Sequence, residues 1–318
     1  MPPLLEVEDL HVYYFTDRKV VKAVDGVSFT LGRGEVLGIG GESGCGKSTL
    51  AYAIMRLVPP PGRIVGGKVV LDGKELTSMD EDLLRREVRW REVSMVFQGA
   101  MNALCPVFTI EEQLVAPLTY HLGMSRSEAR RRAEEVIRLV GLPEAVLRRY
   151  PHELSGGMKQ RVVIAMAIIM RPKLVIADEP TTALDVVVQA QIMNLFKRLK
   201  QELSSSFIFI THDLSLLAEI ADRVAIMYGG KIVELGPSSN VFRDPKHPYT
   251  SLLLESIPRV GMKKLKWIPG TPPDLSNPPP GCRFWPRCPY VRDRCRREEP
   301  PLVDVGNDHL VSCWLYGG

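Results

Sequence analysis

Short apolar segments alternate with helix-patterned segments through the first 256 residues. The predicted strands are residues 4–10, 24–31, 36–39, 68–71, 93–97, 173–177, 207–210, 223–227 and 231–235. The predicted helical segments are residues 50–58, 109–140, 157–170 and 186–203, with a capping box at Ser125 and Glu128. Strands that alternate with helices indicate a sheet with a parallel core and helices on its faces, which is an α/β fold.

The pattern changes after about residue 257. Proline and glycine become dense between residues 258 and 289, and the hydrophobic periodicity fades. Four of the six cysteines also lie in this last part of the chain. We therefore predict a main domain over residues 1–256 and a small cysteine-rich C-terminal extension over residues 257–318.

Composition excludes several classes of protein. The chain has 318 residues, 45% of them hydrophobic, and a net charge of +4, which is too small to indicate nucleic acid as a partner. No apolar run reaches about 18 residues, as a membrane span requires, and no signal-peptide pattern follows Met1. We expect a soluble cytoplasmic protein that reaches a membrane only through a partner.

A glycine-rich segment between a predicted strand and a predicted helix has the G-x-x-x-x-G-K-S spacing of a phosphate-binding loop. Its residues are Gly41, Glu42, Ser43, Gly44, Cys45, Gly46, Lys47, Ser48 and Thr49. Backbone N–H groups of such a loop bind phosphates, Lys47 reaches the β- and γ-phosphates, and the Ser48 hydroxyl binds Mg²⁺. The alternative, a turn that binds nothing, is disfavoured by this spacing and context.

Two carboxylates, Asp178 and Glu179, end the apolar strand at residues 173–177. In a nucleoside triphosphatase, Asp178 would hold Mg²⁺ and Glu179 would polarise the attacking water. Taken alone, the pair is equally typical of two solvated carboxylates at the end of a strand. The phosphate-binding loop upstream favours the catalytic interpretation.

Further motifs make residues 4–256 resemble the ABC-type ATPases. The signature motif is matched by Leu154-Ser155-Gly156-Gly157-Met158, the Q-loop glutamine by Gln98, the D-loop by Ala183-Leu184-Asp185 and the switch loop, which carries a histidine, by Thr211-His212-Asp213. The aromatic residue next to adenine is matched by Tyr14, with Tyr13 as its alternative. Met158 departs from the glutamine that many members carry. The resemblance implies ATP and Mg²⁺, with a helical subdomain at about residues 99–170.

The resemblance also implies a role for each motif. Tyr14 would stack on adenine, and Gln98 would contact Mg²⁺ and link the site to the helical segment. Glu179, His212 and Gln98 would be catalytic. Ser155, Gly156 and Gly157 would hold the γ-phosphate of the nucleotide on a facing subunit, so that one chain needs a second ATPase subunit, identical or related, to complete a site.

The C-terminal cysteines, Cys282, Cys288, Cys295 and Cys313, have the spacing C-x5-C-x6-C-x17-C. Four thiolates suit a [4Fe–4S] cluster or tetrahedral zinc, and the absence of C-x2-C pairs favours the cluster. Four reduced, unligated thiols are the remaining alternative. Residues 280–289 and 245–250 resemble the ATP-binding subunits of oligopeptide- and dipeptide-type importers, some of which carry such a cluster.

This second resemblance implies an ATPase subunit of a peptide-type ABC importer at the cytoplasmic face of the membrane. Its partners would be a second ATPase subunit, two transmembrane permease subunits and, indirectly, an extracytoplasmic solute-binding protein. The solute stays open between peptide, oligosaccharide and nickel. The alternatives are a soluble ABC ATPase of ribosome recycling or translation and one of DNA repair or cluster assembly.

Overall fold

A computed structural model describes residues 2–257 and 267–317. Its strands are β1 (Leu5–Phe15), β2 (Val20–Leu31), β3 (Val36–Gly40), β4 (Gly62–Leu71), β5 (Lys74–Glu75), β6 (Val93–Val96), β7 (Leu174–Asp178), β8 (Ser206–Ile210), β9 (Arg223–Tyr228), β10 (Lys231–Pro237), β11 (Val303–Asp304) and β12 (Leu310–Val311). Its α-helices are α1 (Lys47–Ile54), α2 (Glu81–Leu83), α3 (Ile110–Leu122), α4 (Arg126–Leu139), α5 (Gly156–Ile168), α6 (Val186–Glu202), α7 (Leu214–Ile220), α8 (Ser238–Arg243), α9 (Pro248–Glu255) and α10 (Asp293–Arg297).

The first of two compact units is formed by the described parts of Met1–Ser78 and Phe209–Gly318. It contains an antiparallel sheet in the order β2-β1-β4-β5 and the strand order β11-β12-β10-β9-β3, in which β3 and β9 are parallel. Strand β3 is buried along its whole length. At Gly40 a Cβ atom would lie 2.4 Å from Leu214 of α7, so glycine lets this helix pack closely on the strand.

The second unit is Met79–Ile208. It contains the parallel pair β6 and β7, both fully buried, and helices α2 to α6. Helix α4 begins with the predicted capping box: the Ser125 side chain accepts from the Glu128 N–H, and the Glu128 carboxylate accepts from the Ser125 N–H. The helical segment predicted at residues 109–140 is interrupted, because Gly123 ends α3 with a left-handed φ of 62°.

These units do not coincide with the predicted domains. The second unit extends beyond residues 99–170 on both sides, and the described part of the C-terminal extension belongs to the first unit. Strand β12 of the extension pairs with β10, and His309 lies 2.7 Å from the fully buried Glu234 of β10. Residues 258–266, at the start of the predicted extension, lie outside the described residues.

No helix within residues 2–257 and 267–317 is both long and apolar enough to cross a membrane.

Candidate functional site

The predicted phosphate-binding loop connects the buried strand β3 to helix α1 in the first unit. Gly41 and Gly46 have φ values of 146° and 106°. A Cβ atom at Gly41 would lie 2.2 Å from the Met227 carbonyl oxygen, and one at Gly46 would lie 2.1 Å from the Ala23 carbonyl oxygen. Glycine is therefore required at both positions. Helix α1 begins at Lys47, three residues before the predicted start at residue 50, so the last residues of the motif form its first turn.

Lys47 is buried, and its ammonium group is held by the loop itself. Nζ donates to the carbonyl oxygens of Gly41 at 2.8 Å and Glu42 at 2.9 Å, and it lies 3.7 Å from Sγ of Cys45. Burial raises the pKa of the Cys45 thiol, although the nearby ammonium opposes this shift. The loop thus fixes one positive charge at the N-terminus of a helix, an arrangement that suits phosphate.

The two tyrosines considered for adenine stacking differ in their contacts. The Tyr14 hydroxyl lies 3.4 Å from Oγ1 of Thr49 in the phosphate-binding loop. The Tyr13 hydroxyl instead donates to Asp25 at 2.5 Å, and burial together with Asp25 raises the pKa of Tyr13 to about 12. Neighbouring residues of a strand point to opposite faces, so only Tyr14 is directed to the loop.

The predicted switch loop, Thr211-His212-Asp213, follows β8. The Thr211 N–H donates to the carbonyl of Ile39, two residues before the phosphate-binding loop. Asp213 caps α7 by accepting from the Ser215 N–H at 2.9 Å. Between these two anchored residues His212 is exposed, so its imidazole is presented at the surface of the first unit.

In the second unit Gln98 and Glu179 lie together, because each lies just after the end of one strand of the parallel pair β6 and β7. Gln98 follows β6, and its Nε2 donates to Glu179 Oε2 at 3.0 Å. The Thr182 hydroxyl donates to the same oxygen at 2.9 Å. Asp178, the last residue of β7, is fully buried, and Glu179 has a left-handed φ of 47°. Two donors and a constrained backbone therefore orient the Glu179 carboxylate.

The predicted signature motif begins helix α5. Ser155 is its N-cap, with a side chain that accepts from the Met158 N–H at 3.4 Å, and both Ser155 and Gly156 are exposed. The next residue, Gly157, packs closely on helix α6. A Cβ atom at this position would lie 2.7 Å from Val188, so a larger residue would require the helices to shift. Backbone N–H groups at an exposed helix start can bind an anion.

Helix α6 begins near the signature motif with two exposed valines. Asp185 caps the helix by accepting from the Val188 N–H at 2.9 Å. Val186 and Val187 follow it with 81% and 67% of their surface exposed. An apolar pair beside an exposed helix N-terminus is typical of a surface that is covered in an assembly.

The four C-terminal cysteines line one cavity of the first unit. The cavity is also lined by Phe284, Trp285, Trp314 and His247. Each of the four is free of a disulfide bond, and burial with the mutual repulsion of the thiolates raises the pKa of Cys282 to about 12. Among the residues that the structure describes, no three His, Cys, Asp or Glu side chains form a metal-ion site. The geometry therefore gathers the cysteines but does not confirm the predicted metal cluster.

The sequence gives no signal for two residues that contact the phosphate-binding loop. The Tyr249 hydroxyl accepts from the Glu42 N–H at 2.8 Å, and the Arg287 guanidinium binds the Glu42 carboxylate. Both lie in segments whose resemblance to peptide-importer subunits is visible in the sequence. Their partner, however, is more than 200 residues away, where no local pattern can reveal it.

Comparison with families of known proteins gives two matches. A family described as "ABC transporter" matches residues 24–182, and one described as "Oligopeptide/dipeptide transporter, C-terminal region" matches residues 233–295.

Three similar proteins come from Bacillus subtilis. The oligopeptide transport ATP-binding protein OppD is 48% identical over 98% of this chain and 88% of its own length. The dipeptide transport ATP-binding protein DppD is 46% identical over 99% and 95%, and the oligopeptide transport ATP-binding protein AppD is 47% identical over 99% and 98%.

Two solved structures share the fold. The ATP-binding cassette MJ0796, solved as a dimer with ADP and Pi, is 30% identical with a TM-score of 0.66, covering 74% of this chain and 98% of that one. CbiO1 from Clostridium perfringens, part of the complex CbiONQ, is 28% identical with a TM-score of 0.66, covering 77% and 92%.

Proposed function

The chain belongs to the ABC transporter family of ATPases, and from this premise we propose that it is the ATP-hydrolysing subunit of a peptide importer. One observation carries the proposal: the ATPase match at residues 24–182 and the peptide-transporter C-terminal match at residues 233–295 occur in one chain. Relatives named for oligopeptide and dipeptide transport are 46–48% identical to it over nearly its whole length.

Nucleotide binding is assigned to the phosphate-binding loop of the first unit. Gly41 to Gly46 offer backbone N–H groups to the phosphates, and the Lys47 ammonium supplies the positive charge. The Tyr14 ring, next to Thr49, stacks on adenine. The hydrogen bonds from Lys47 to the Gly41 and Glu42 carbonyls support this role, because they hold the ammonium group against the loop whose N–H groups bind the phosphates.

Hydrolysis is assigned to five side chains. Ser48, Asp178 and Gln98 are the residues that would hold Mg²⁺, which neutralises charge on the phosphates. Glu179 polarises the attacking water, and His212 contacts the γ-phosphate. The hydrogen bonds from Gln98 and Thr182 to Glu179 Oε2 orient the carboxylate, which supports its role toward the attacking water.

A second ATPase subunit is required because the signature residues of one chain act on the nucleotide of the other. Exposure of Ser155 and Gly156 at a helix N-terminus, with Val186 and Val187 beside them, supports this assignment. Burial of these valines against a partner removes apolar surface from water when ATP closes the pair. Hydrolysis then releases the γ-phosphate that joins the two subunits, and the pair of subunits reopens.

Permease subunits are the proposed membrane partners. An exposed apolar group in the second unit, formed by Val107, Phe108 and Tyr120, supports docking of a protein there. These side chains have 72%, 51% and 73% of their surface exposed, so together they present apolar surface that a partner could cover. The chain would thus act at the cytoplasmic face, with the solute-binding protein contacting only the permeases.

Peptide uptake tests the proposed function. We expect vesicles containing the permeases, the solute-binding protein and this chain to accumulate a labelled oligopeptide only with ATP, and the Glu179→Gln variant to stop accumulation. Co-sedimentation of the chain with ribosomes, without binding to permeases, would instead support the translation alternative.

The cysteine cavity is proposed as the site of a [4Fe–4S] cluster. The proposal rests on the donor set, since four cysteine side chains line one cavity and thiolates are the ligands of such clusters. Cys282, Cys288, Cys295 and Cys313 would hold the cluster. With every iron bound by a protein thiolate, the group would supply ligation energy to the fold and leave no open iron position.

Metal analysis tests this site. We expect anaerobically purified chain to contain about four irons and to absorb broadly in the visible, as thiolate-ligated clusters do. Cys288→Ser should lose the iron, whereas Cys105→Ser, outside the cavity, should retain it. About one zinc per chain would replace the cluster by a zinc site, and neither metal, with all four thiols alkylated in the folded protein, would exclude metal binding.

A further inference from the structure

Arg287 extends from the cysteine cavity to the phosphate-binding loop. It lies in the short 3-10 helix Trp285–Arg287, between Cys282 and Cys288, and only 4% of its side chain is exposed. Its Nη1 and Nη2 atoms donate to the two Glu42 carboxylate oxygens at 2.7 Å and 3.0 Å. Nε donates to the Pro269 carbonyl at 2.8 Å, so the guanidinium plane is fixed on a second side.

Glu42 is part of the loop that holds Lys47. Its carbonyl oxygen accepts from Lys47 Nζ at 2.9 Å, and its N–H donates to the Tyr249 hydroxyl at 2.8 Å. The side chain and the backbone of one loop residue are therefore both anchored by the C-terminal part of the chain. A change in the position of Arg287 would move the peptide group that sets the position of the Lys47 ammonium.

A packed aromatic group joins the cavity to the same loop. Phe284 lines the cavity and contacts Tyr228 and Tyr249, with ring centroids 5.1 Å and 5.4 Å apart. Tyr228 also lies 3.3 Å from Arg287 Nη1. Because packed side chains transmit displacement with little slack, the wall of the cavity and the Arg287–Glu42 pair are mechanically connected.

A second arginine of this segment contacts residues next to the loop. Arg283, directly after Cys282, donates to the Asp25 carboxylate and to the Gly229 carbonyl. The next residue, Gly230, donates its N–H to the Cys45 carbonyl of the loop at 3.0 Å. Two independent contacts thus lead from residues beside cavity cysteines to the phosphate-binding loop.

We propose that Arg287 is a positioning residue for the phosphate-binding loop, and that the state of the four-cysteine cavity controls ATP affinity by setting the Arg287–Glu42 contact. The first part stands on the contacts alone. The second part rests on the proposed metal site, because loss of a ligated group from the cavity is what would move the helix that carries Arg287.

A double-mutant cycle on the full chain tests the first part. Arg287→Met should weaken binding of ATP with Mg²⁺ by about tenfold, as loss of a residue that orients a binding group typically does. Glu42→Gln should also weaken binding, and the double variant should be no weaker than the weaker single variant. Arg297→Met, an exposed arginine of the same region, is the matched control and should bind ATP normally.

Two outcomes overturn this assignment: unchanged ATP affinity in folded Arg287→Met, or losses in the double variant that simply add. If Arg287→Met does not fold, Arg287→Lys replaces it, since lysine retains the charge but cannot bind both carboxylate oxygens. Intermediate affinity in Arg287→Lys supports positioning by the bidentate pair, and normal affinity contradicts it.

Removing a cavity ligand tests the second part. Cys288→Ser should lower ATP affinity when Arg287 is present and cause no further loss in the Arg287→Met background. Equal losses in both backgrounds overturn the coupling. Iron content is measured on the same samples, so that the proposed cluster and the proposed link to the loop can fail separately. If the parent chain contains no iron but the effects of Cys288→Ser and Arg287→Met on ATP affinity are still non-additive, the cluster is excluded and the link from the cavity to the loop is retained.

Discussion

Glu179→Gln is expected to lower the rate of ATP hydrolysis by about 10²–10³-fold, while ATP binding stays unchanged. The carboxylate is held by the Gln98 amide and the Thr182 hydroxyl, which both donate to Oε2. A glutamine has the same shape and keeps a carbonyl acceptor for these donors. It lacks the negative charge that polarises water, so only the chemical step should suffer.

Phosphate release under saturating ATP gives the hydrolysis rate, and equilibrium binding of ATP gives the affinity. Glu144→Gln is the matched control, because Glu144 pairs with Arg138 at the surface and an exposed ion pair has little effect on the fold. The variant should also accumulate as an ATP-bound dimer. A hydrolysis rate within a few-fold of the parent would assign the water-polarising role to another group.

Local sequence signals predict the elements that carry the site. The glycines of the phosphate-binding loop and the Ser125 capping box each act over six residues or fewer, and the structure contains both. The contact between Gln98 and Glu179 joins two strands. It could still be predicted, since parallel strands place their carboxyl ends together.

Contacts between distant segments could not be predicted in this way. Glu42 and Arg287 are 245 positions apart, and each is a charged residue in a segment without hydrophobic periodicity. Glu234 and His309 are 75 positions apart and also come together only in the fold, where the His309 imidazole lies 2.7 Å from the buried Glu234 carboxylate of β10. The sequence pattern separates the extension from the main domain, because its attachments join residues that are far apart in the chain. These attachments are polar pairs, the packing of Phe284 on Tyr228 and Tyr249, and a two-residue strand pairing with β10.

The second large effect is recovery of activity in a mixture of two inactive variants. Lys47→Ala removes the cation at the phosphates, and Ser155→Arg removes the cap of α5 and places a large side chain at its exposed N-terminus. Each variant alone should be inactive. If the signature of one chain completes the site of the other, a mixed dimer has one intact site and one doubly defective site.

Random pairing of the two variants should restore about one quarter of the parent activity, because about half of the dimers are mixed and each mixed dimer has one of two sites intact. Differently tagged variants, recovered together with ATP, verify that mixed dimers form. A mixture of Lys47→Ala and Glu179→Gln is the control, since both residues are assigned to the half-site of one chain and no pairing creates an intact site. If mixed dimers form in the first mixture but activity does not recover, the result would contradict a shared site that hydrolyses ATP when the other site of the dimer is defective.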